Sequence, residues 1–504
     1  MKKQSGTYLI LRYLFLFLIF ISIGIFYLHR ESTKDYVTPT DNPSFISLKG
    51  KKFISNGHEF FPVALNYIVS LNLDGSDAWV SPAHDYGEFA SSDYSDRDSS
   101  LIFLKADMEL IKQSGFNTVR LVGVGEMKVH DYQTGDLVFP ALTSLGRDTL
   151  LHLMEDDNQA KYLNALKELF DIVNQAGLKL IFLNKMLPDV RSTELHFGKM
   201  AHFFRMDTCI LAYDLFNEPL YFDIPSRPKQ DVYEITKRWK KIMMHYAPNH
   251  LYTIGLEGIR EVFAWDPNII NADFISYHPY EYEPDQVRNE IYWYSSYTDK
   301  PWIIGETAIP ADNDSVSYED QRKFANKTIT QTINCGASGY SWWQYKDVKW
   351  SKFHPSFMGV FNREGETPSK TGGVAVKGTA KPVVEEFKNF KNVKNGECIC
   401  LPNYYNYSMN NKYCLKGKLT NEKEEPIDGG VILAWNEDWT HSYHSITRKD
   451  GSFEVWSEYP FFHWRISATY HTVLAEDVIP DTMQISTRGS SSVDLGNLKI
   501  RREF

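Results

Sequence analysis

The sequence predicts an α/β fold, a (β/α)₈ TIM barrel followed by a small all-β sandwich domain, with an N-terminal transmembrane helix ahead of both. Three observations carry that expectation. From about Phe45 to Phe390, apolar runs of strand length alternate with amphipathic stretches of helix length, the pattern of a parallel sheet with crossover helices. Beyond Lys391 the rhythm changes to short alternating runs broken by turns at Asp428-Gly429-Gly430 and Lys449-Asp450-Gly451. Near the N-terminus a hydrophobic run from Tyr8 to Leu28 is interrupted only by Arg12 and is flanked by Lys2, Lys3, His29 and Arg30.

At ~1.5 Å per residue, a helix over that run spans a hydrocarbon core of ~30 Å. A cleaved signal peptide and a retained signal anchor both fit. Ile25, Phe26, Tyr27 and Leu28 are all bulky and leave no small-x-small cleavage site, which favours an anchor over residues 1–30. The basic N-terminus then stays in the cytoplasm and the rest is extracytoplasmic, periplasmic or at the cell surface, with a cleaved secreted form as the alternative. Residues 31–44 are polar, carry two prolines and read as a tether.

Residues 45–392 hold eight strand-like runs: Phe60–Asn66, Asn117–Val122, Leu178–Asn184, Ile210–Asn217, Leu251–Gly255, Phe274–His278, Trp302–Glu306 and Gly339–Trp343. Helical patterns fall between most of them, at Leu101–Ser114, Lys161–Gln175, Gln230–Tyr246, Pro284–Tyr294 and Tyr318–Ile333, with a last one at Pro382–Phe390. The region exceeds the ~250 residues usual for such a barrel, and the surplus falls at 68–100 and 123–158, after the first and second strands. Loops there lie on the face where barrel active sites are built, so Trp79, His84, Tyr86, Phe89 and Tyr94 are expected to shape a cleft. Residues 393–412 read as a linker and 413–504 as the sandwich.

Composition narrows the ligand. Aromatic residues make up 14% of the 504, and flat aromatic surface stacks on sugar rings as well as filling cores. A net charge of −10 without a basic patch argues against a nucleic-acid partner. The five cysteines form no metal pattern. One disulfide at a domain edge or free buried thiols are the plain readings, and a bridge from Cys398 or Cys400 to Cys414 would suit an oxidising compartment. His441 and His444, an odd number apart on a strand, would face opposite ways and make no metal site.

Two apolar runs end in an acid at a strand exit: Tyr213–Pro219 carries Glu218 at the end of the fourth strand, and Pro301–Thr307 carries Glu306 at the end of the seventh. Glycoside hydrolysis needs two carboxyl groups flanking the scissile bond, and strand exits hold such a pair rigidly at the open face. Further short motifs fall in register with the strands: Phe116-Asn117-Thr118-Val119-Arg120, Asp214 to Pro219, His278-Pro279-Tyr280, Gly305-Glu306 and Trp342-Trp343. Together they resemble glycoside hydrolase family 5, the cellulase and mannanase group within the clan of retaining barrel enzymes, over most of residues 45–390.

The resemblance implies Glu218 as general acid/base and Glu306 as nucleophile, with Arg120, Asn217, His278, Tyr280 and Trp343 binding substrate. Physics then asks for opposite tuning, a protonated Glu218 and an ionised Glu306 oriented by Arg120. Trp343 is the expected platform under the reacting sugar, with Trp342 facing the other way. Neither a metal nor any other cofactor is implied. One departure stands out: the third strand ends in Asn184-Lys185, where family members often carry a histidine. The C-terminal segment resembles carboxypeptidase regulatory-like, or transthyretin-like, sandwich modules.

The reading is an exported, membrane-anchored retaining β-glycosidase acting on a β-linked poly- or oligosaccharide, a mannan or glucan. The rival readings are a non-catalytic carbohydrate-binding barrel, an exo-acting or β-galactosidase-like enzyme of the same clan, and an adhesion protein with a vestigial barrel.

Overall fold

The computed structural model describes residues 38–500 apart from 84–95, 144–147, 225–226, 281–283, 349–353, 364–365, 368–375, 394–395, 400–411, 439 and 470–491. Eight parallel strands close into a barrel: β1 (Val63–Asp74), β2 (Thr118–Val122), β3 (Lys179–Leu183), β4 (Ile210–Asn217), β5 (Leu251–Leu256), β6 (Ile275–Tyr277), β7 (Trp302–Ile304) and β8 (Gly339–Trp342). β8 pairs back onto β1 through Tyr340–Val63, Ser341–Ala64 and Trp342–Leu65. The strands are apolar runs because both faces are buried, one lining the barrel and one meeting helices. These are the runs read from the sequence, in the same order.

Around them lie α1 (Arg97–Gln113), α2 (Asp156–Gln175), α3 (Arg191–Phe203), α4 (Lys229–Tyr246), α5 (Pro284–Tyr297), α6 (Tyr318–Asn334) and the short α7 (Val384–Lys388). Asp96 caps α1 by accepting from the Ser99 amide, and Ser317 caps α6 by accepting from that of Asp320. α3 is absent from the sequence reading for a physical reason. Its buried face includes Ser192, Thr193, Glu194, His196 and Gly198, so no clean apolar stripe marks it. β5 is followed by a 3₁₀ turn, Ile259–Phe263, rather than by an α-helix.

The two insertions differ from expectation. β1 does not stop near Asn66 but runs on to Asp74 and returns through an antiparallel partner, Asp77–Pro82. The insertion after β2 adds strands Lys128–Asp131, Asp136–Thr143 and Asp148–His152, and the middle one pairs with the overhang of β1. Trp79 is therefore packed rather than lining a cleft; it is buried, and its Nε1 donates to Ser100 Oγ on α1 at 3.1 Å. His84, Tyr86, Phe89 and Tyr94 lie outside the described residues. At the opposite end of the barrel a three-stranded hairpin sheet, Ser47–Lys49, Lys52–Ser55 and His58–Phe60, plugs the floor. Ile46 and Phe53 pack there on Ile181, Leu211, Phe274 and Ile303.

Among the described residues the C-terminal segment forms two three-stranded sheets. One holds β9 (Tyr413–Thr420), β12 (Ser452–Ser457) and β14 (Ser492–Lys499); the other holds β10 (Val431–Trp435), β11 (Ser442–Ile446) and β13 (His463–Ser467). Leu415, Leu419, Ile432, Ala434, Phe453 and Ile466 form a core between them. The alternate residues of β10, Val431, Leu433 and Trp435, join the barrel core instead, so this strand is buried on both faces. Polar groups seal the junction: Trp293 Nε1 donates to Gly429 O at 2.9 Å, and His444 meets Glu290 at 3.2 Å.

Cys335, just after α6, is bonded to Cys398, a single disulfide among the described residues as the plain reading allows, in place of the alternative bridge from Cys398 or Cys400 to Cys414. The chain leaving α7 runs back along α6, where the Gly396 amide donates to Asn334 Oδ1, and this brings Cys398 to Cys335 rather than to the sandwich. Cys414 is a buried free thiol on β9, and Cys400 lies outside the described residues. No helix among the described residues is long and apolar enough to cross a membrane, and the Tyr8–Leu28 run lies outside them.

Candidate active site

At the exit end of the barrel the wholly buried Arg120 of β2 organises the polar groups. Its Nε and Nη2 face Asp214 Oδ2 of β4 at 2.9 and 2.8 Å. Nη1 donates to Asn66 Oδ1 of β1 at 2.8 Å and to Glu306 Oε1 beyond β7, and Nη2 donates to Asn217 Oδ1 at 2.8 Å. A buried cation is tolerable only when its hydrogen-bonding directions are met by acceptors, as they are here. Burial opposes its charge, yet Glu306 and Asp214 hold the guanidinium firmly protonated.

Glu306 is gripped from both sides. Arg120 takes Oε1, and the Tyr280 hydroxyl donates to Oε2 at 2.7 Å. Burial pushes its carboxyl up from the ordinary value, while the Arg120 cation and the Tyr280 hydroxyl pull it back. Glu218 sits differently. It ends β4 in the left-handed region at φ 45°, a conformation that costs a residue with a side chain ~1 kcal/mol or more and fits a strand-to-turn exit held in place by its surroundings. Its amide donates to Gly255 O at 2.7 Å, Pro219 follows, and the Leu220 amide donates to the buried Glu261 at 2.9 Å. Burial raises Glu218 to about 7, against the opposing fields of Arg120, Lys185 and Arg260.

His278 lies between the two acids, with Nδ1 3.1 Å from Glu218 Oε1 and 3.7 Å from Glu306 Oε1. Burial lowers its pKa to about 4, so the ring is neutral at pH 7. Nε2 is 3.3 Å from Ser276 Oγ; with that hydroxyl donating, the ring proton is on Nδ1 and is given to Glu218. The ring fits because β5 and the exit of β7 present glycines. A Cβ at Gly255 would stand 2.5 Å from His278 Cε1, and one at Gly305 would stand 1.8 Å from Ser276 Oγ.

The carboxyl groups are therefore close but unlike. One oxygen of Glu218, one of Glu306 and a nitrogen of His278 all lie within 4.8 Å of one another. Burial raises both acids, so what separates them is contact: Glu306 has a permanent cation and a phenol on its oxygens, whereas Glu218 has a neutral imidazole. Such a pair supplies one anionic carboxylate and one proton donor near pH 7. As a metal site the trio is poor, because Arg120 already puts a fixed positive charge on Glu306 Oε1.

Trp343 is half-buried, and the Trp343–Gln344 peptide bond is cis. Trp342 is fully buried and faces the helices, packing on Phe324 and Phe387 with Nε1 donating to Met358 O at 2.9 Å. Sequence reasoning missed Asn66, Asp214 and Glu261. Asp214 lies inside the Asp214–Pro219 motif, but β4 is irregular between Asp214 and Asn217, so alternation from the outward-packed Phe216 does not reveal that Asp214 faces the barrel interior. Asn66 sits at a strand position and Glu261 in the turn after β5, and neither carried a signal. Asn184 is wholly buried, its side-chain amide without a partner among the described residues, and its backbone amide bonds Asp214 O at 2.8 Å.

No family model and no curated protein matches the chain in sequence. Solved structures do match in fold. An exo-β-1,4-mannosidase from Opitutaceae bacterium strain TAV5 is 16% identical over 71% of this chain and 62% of its own, with a TM-score of 0.45. An endo-1,4-β-mannanase from Rhizomucor miehei is 14% identical over 61% of this chain and 92% of its own, with a TM-score of 0.42. A GH5_18 protein from Streptomyces cattleya in complex with GlcNAc is 15% identical over 64% and 80%, with a TM-score of 0.44.

Proposed function

We propose that the chain is a retaining β-glycosidase that cleaves a β-linked poly- or oligosaccharide by double displacement. The observation that carries the reading is the short separation of Glu218 and Glu306, whose nearest oxygens lie within 4.8 Å. A nearest-oxygen approach that short favours direct attack by one carboxylate, for which carboxyl groups ~5–5.5 Å apart are usual, over the ~6.5–9.5 Å at which an inverting pair holds a water. Glu306, oriented by Arg120 and Tyr280, attacks the anomeric carbon. Glu218 gives its proton to the leaving glycosidic oxygen as that bond breaks. Water then attacks the glycosyl-enzyme ester and returns a proton to Glu218. Asn217 accepts from Arg120, which leaves its amide nitrogen as the end able to donate to a sugar hydroxyl.

The resemblance favours a mannan or glucan backbone. The hydrophobic run at Tyr8–Leu28 favours export and membrane anchoring, and recovery of the intact chain in the washed membrane fraction tests the anchor; soluble exported protein beginning near residue 30 would overturn the anchor in favour of a cleaved signal peptide. The catalytic test is hydrolysis of β-mannan, β-glucan and xylan by the wild type, Glu306→Gln and Glu218→Ala. Each substitution is expected to lose ~10²–10⁴-fold or more. Undiminished turnover by Glu306→Gln, or a product of inverted anomeric configuration, would sink the mechanism.

A further inference from the structure

Among the described residues, three cations act on Glu218, and two are spoken for. Arg120 bonds Asp214 and Glu306, and Arg260 bonds Glu257 through Nε at 3.0 Å and through Nη2. The third, Lys185, has no hydrogen bond or ion pair from its ammonium to any described residue. The exits of β2 and β3 are tied by the Lys185 amide donating to Gly125 O at 3.0 Å, which brings Lys185 beside Glu126. Its Nζ rests 4.1 Å from the ring centroid of Phe222, four residues beyond Glu218 and 53% exposed. Tyr221, also exposed, continues this aromatic rim. The ammonium is half-buried, and among the described residues the carboxyls whose fields support it are Glu126 and Glu218. Burial pushes both toward their neutral forms. When Glu218 is protonated to act as an acid, Lys185 is left with less than one compensating charge.

Resting on the glycosidase reading, we propose that Lys185 is a specificity-determining residue whose ammonium binds an anionic substituent, a carboxylate or a sulfate ester, on a sugar next to the scissile bond. An ammonium kept partly out of water with only aromatic faces beside it, Phe222 at 4.1 Å and Phe216 at 5.9 Å, still lacks a hydrogen-bond acceptor and a contacting anion, and that lack is costly unless something at work in the site supplies them. An oxyanion on the substrate supplies it, and the Phe222 ring beside it offers a face for the sugar itself. A neutral hydroxyl would satisfy a donor but not the charge. The preferred substrate is thus a β-linked backbone that carries acidic groups rather than a wholly neutral one.

The test compares three matched β-linked oligosaccharides, uronate-bearing, carboxyl-reduced and sulfated, on wild type, Lys185→Met and Lys185→Arg. Wild type is expected to favour at least one acidic substrate in kcat/KM over the reduced one. Lys185→Met should lower that ratio by roughly 10- to 100-fold, the range for a charge-assisted hydrogen bond, and Lys185→Arg should restore much of it. The uronate and sulfate arms separate the two oxyanions. Equal turnover of acidic and reduced substrates, or a ratio unmoved by Lys185→Met, overturns the proposal. Calorimetric binding of the same oligosaccharides keeps it distinct from the catalytic reading. Lys185-dependent affinity for acidic glycans without cleavage of any would overturn the glycosidase and leave this site standing.

Discussion

The Tyr280 hydroxyl donates to Glu306 Oε2 across 2.7 Å, on the side of the carboxylate that Arg120 leaves open. Glu306, the nucleophile of the proposed mechanism, is thus fixed by two donors of different kinds, one a permanent cation and one a phenol that can loosen as negative charge leaves the oxygen. Tyr280→Phe removes only the second. The expected result is a fall in kcat of roughly 10- to 100-fold with little change in thermal unfolding, since Tyr280 stands at the rim of the core. Steady-state kinetics beside a melting curve check it.

Under the proposed mechanism the two acids set a pH profile whose signs follow from their proposed roles. Glu218 must carry a proton, and burial places its titration at about 7, so kcat/KM should decline as pH rises through that value. Glu306 must be ionised, and its upward shift moves the acidic limb above the ordinary glutamate range. The field of Lys185 favours the ionised form of Glu218, so Lys185→Met should shift the basic limb to higher pH. A flat profile through pH 7 would remove Glu218 from the acid role.

Much of this was legible in the sequence because barrel strands are short apolar runs with both faces buried, and such runs stand out whatever surrounds them. Glu218 and Glu306 were legible for the same reason, as acids that end such runs. What stayed hidden depends on tertiary context. The extension of β1 past Asn66 needs Asp77–Pro82 and Asp136–Thr143 as partners, and these come from two separate insertions. α3 hides because its buried side carries Thr193, Glu194 and His196, each suited to a neighbour rather than to a pattern. Cys335 pairs with Cys398 across 63 residues, and no spacing rule points to it.

Gly305 offers a test of how tightly the site is built. A methyl there would meet Ser276 Oγ at 1.8 Å and His278 Nε2 at 2.9 Å, so the ring that contacts Glu218 has to move. Gly305→Ala is expected to cost about 1–3 kcal/mol of stability, as overpacking does. The loss of kcat should exceed what unfolding at the assay temperature explains, because Glu218 loses its imidazole partner. Gly336→Ala, at a glycine with φ +73° and open space around it, is the control for backbone strain alone and should spare catalysis.

Lys229, at the start of α4, is buried at the junction of barrel and sandwich. Its Nζ meets Asp266 at 3.1 Å, Ser467 Oγ at 3.2 Å and Ala468 O at 3.2 Å. Asp266 is itself wholly buried and pushed up by that burial, so removing the ammonium leaves an acid that must either stay charged in the interior or take up a proton. Lys229→Met should therefore destabilise by about 3–5 kcal/mol at neutral pH. Lys229→Met with Asp266→Asn should recover part of that loss, since the stranded charge is gone. Because the same lysine also holds the end of β13, scanning calorimetry should show one transition in the wild type. In the single variant a separate, earlier transition of the sandwich should appear. A single unshifted transition in Lys229→Met would mean that the apolar contacts of Val431, Leu433 and Trp435 hold the junction without it.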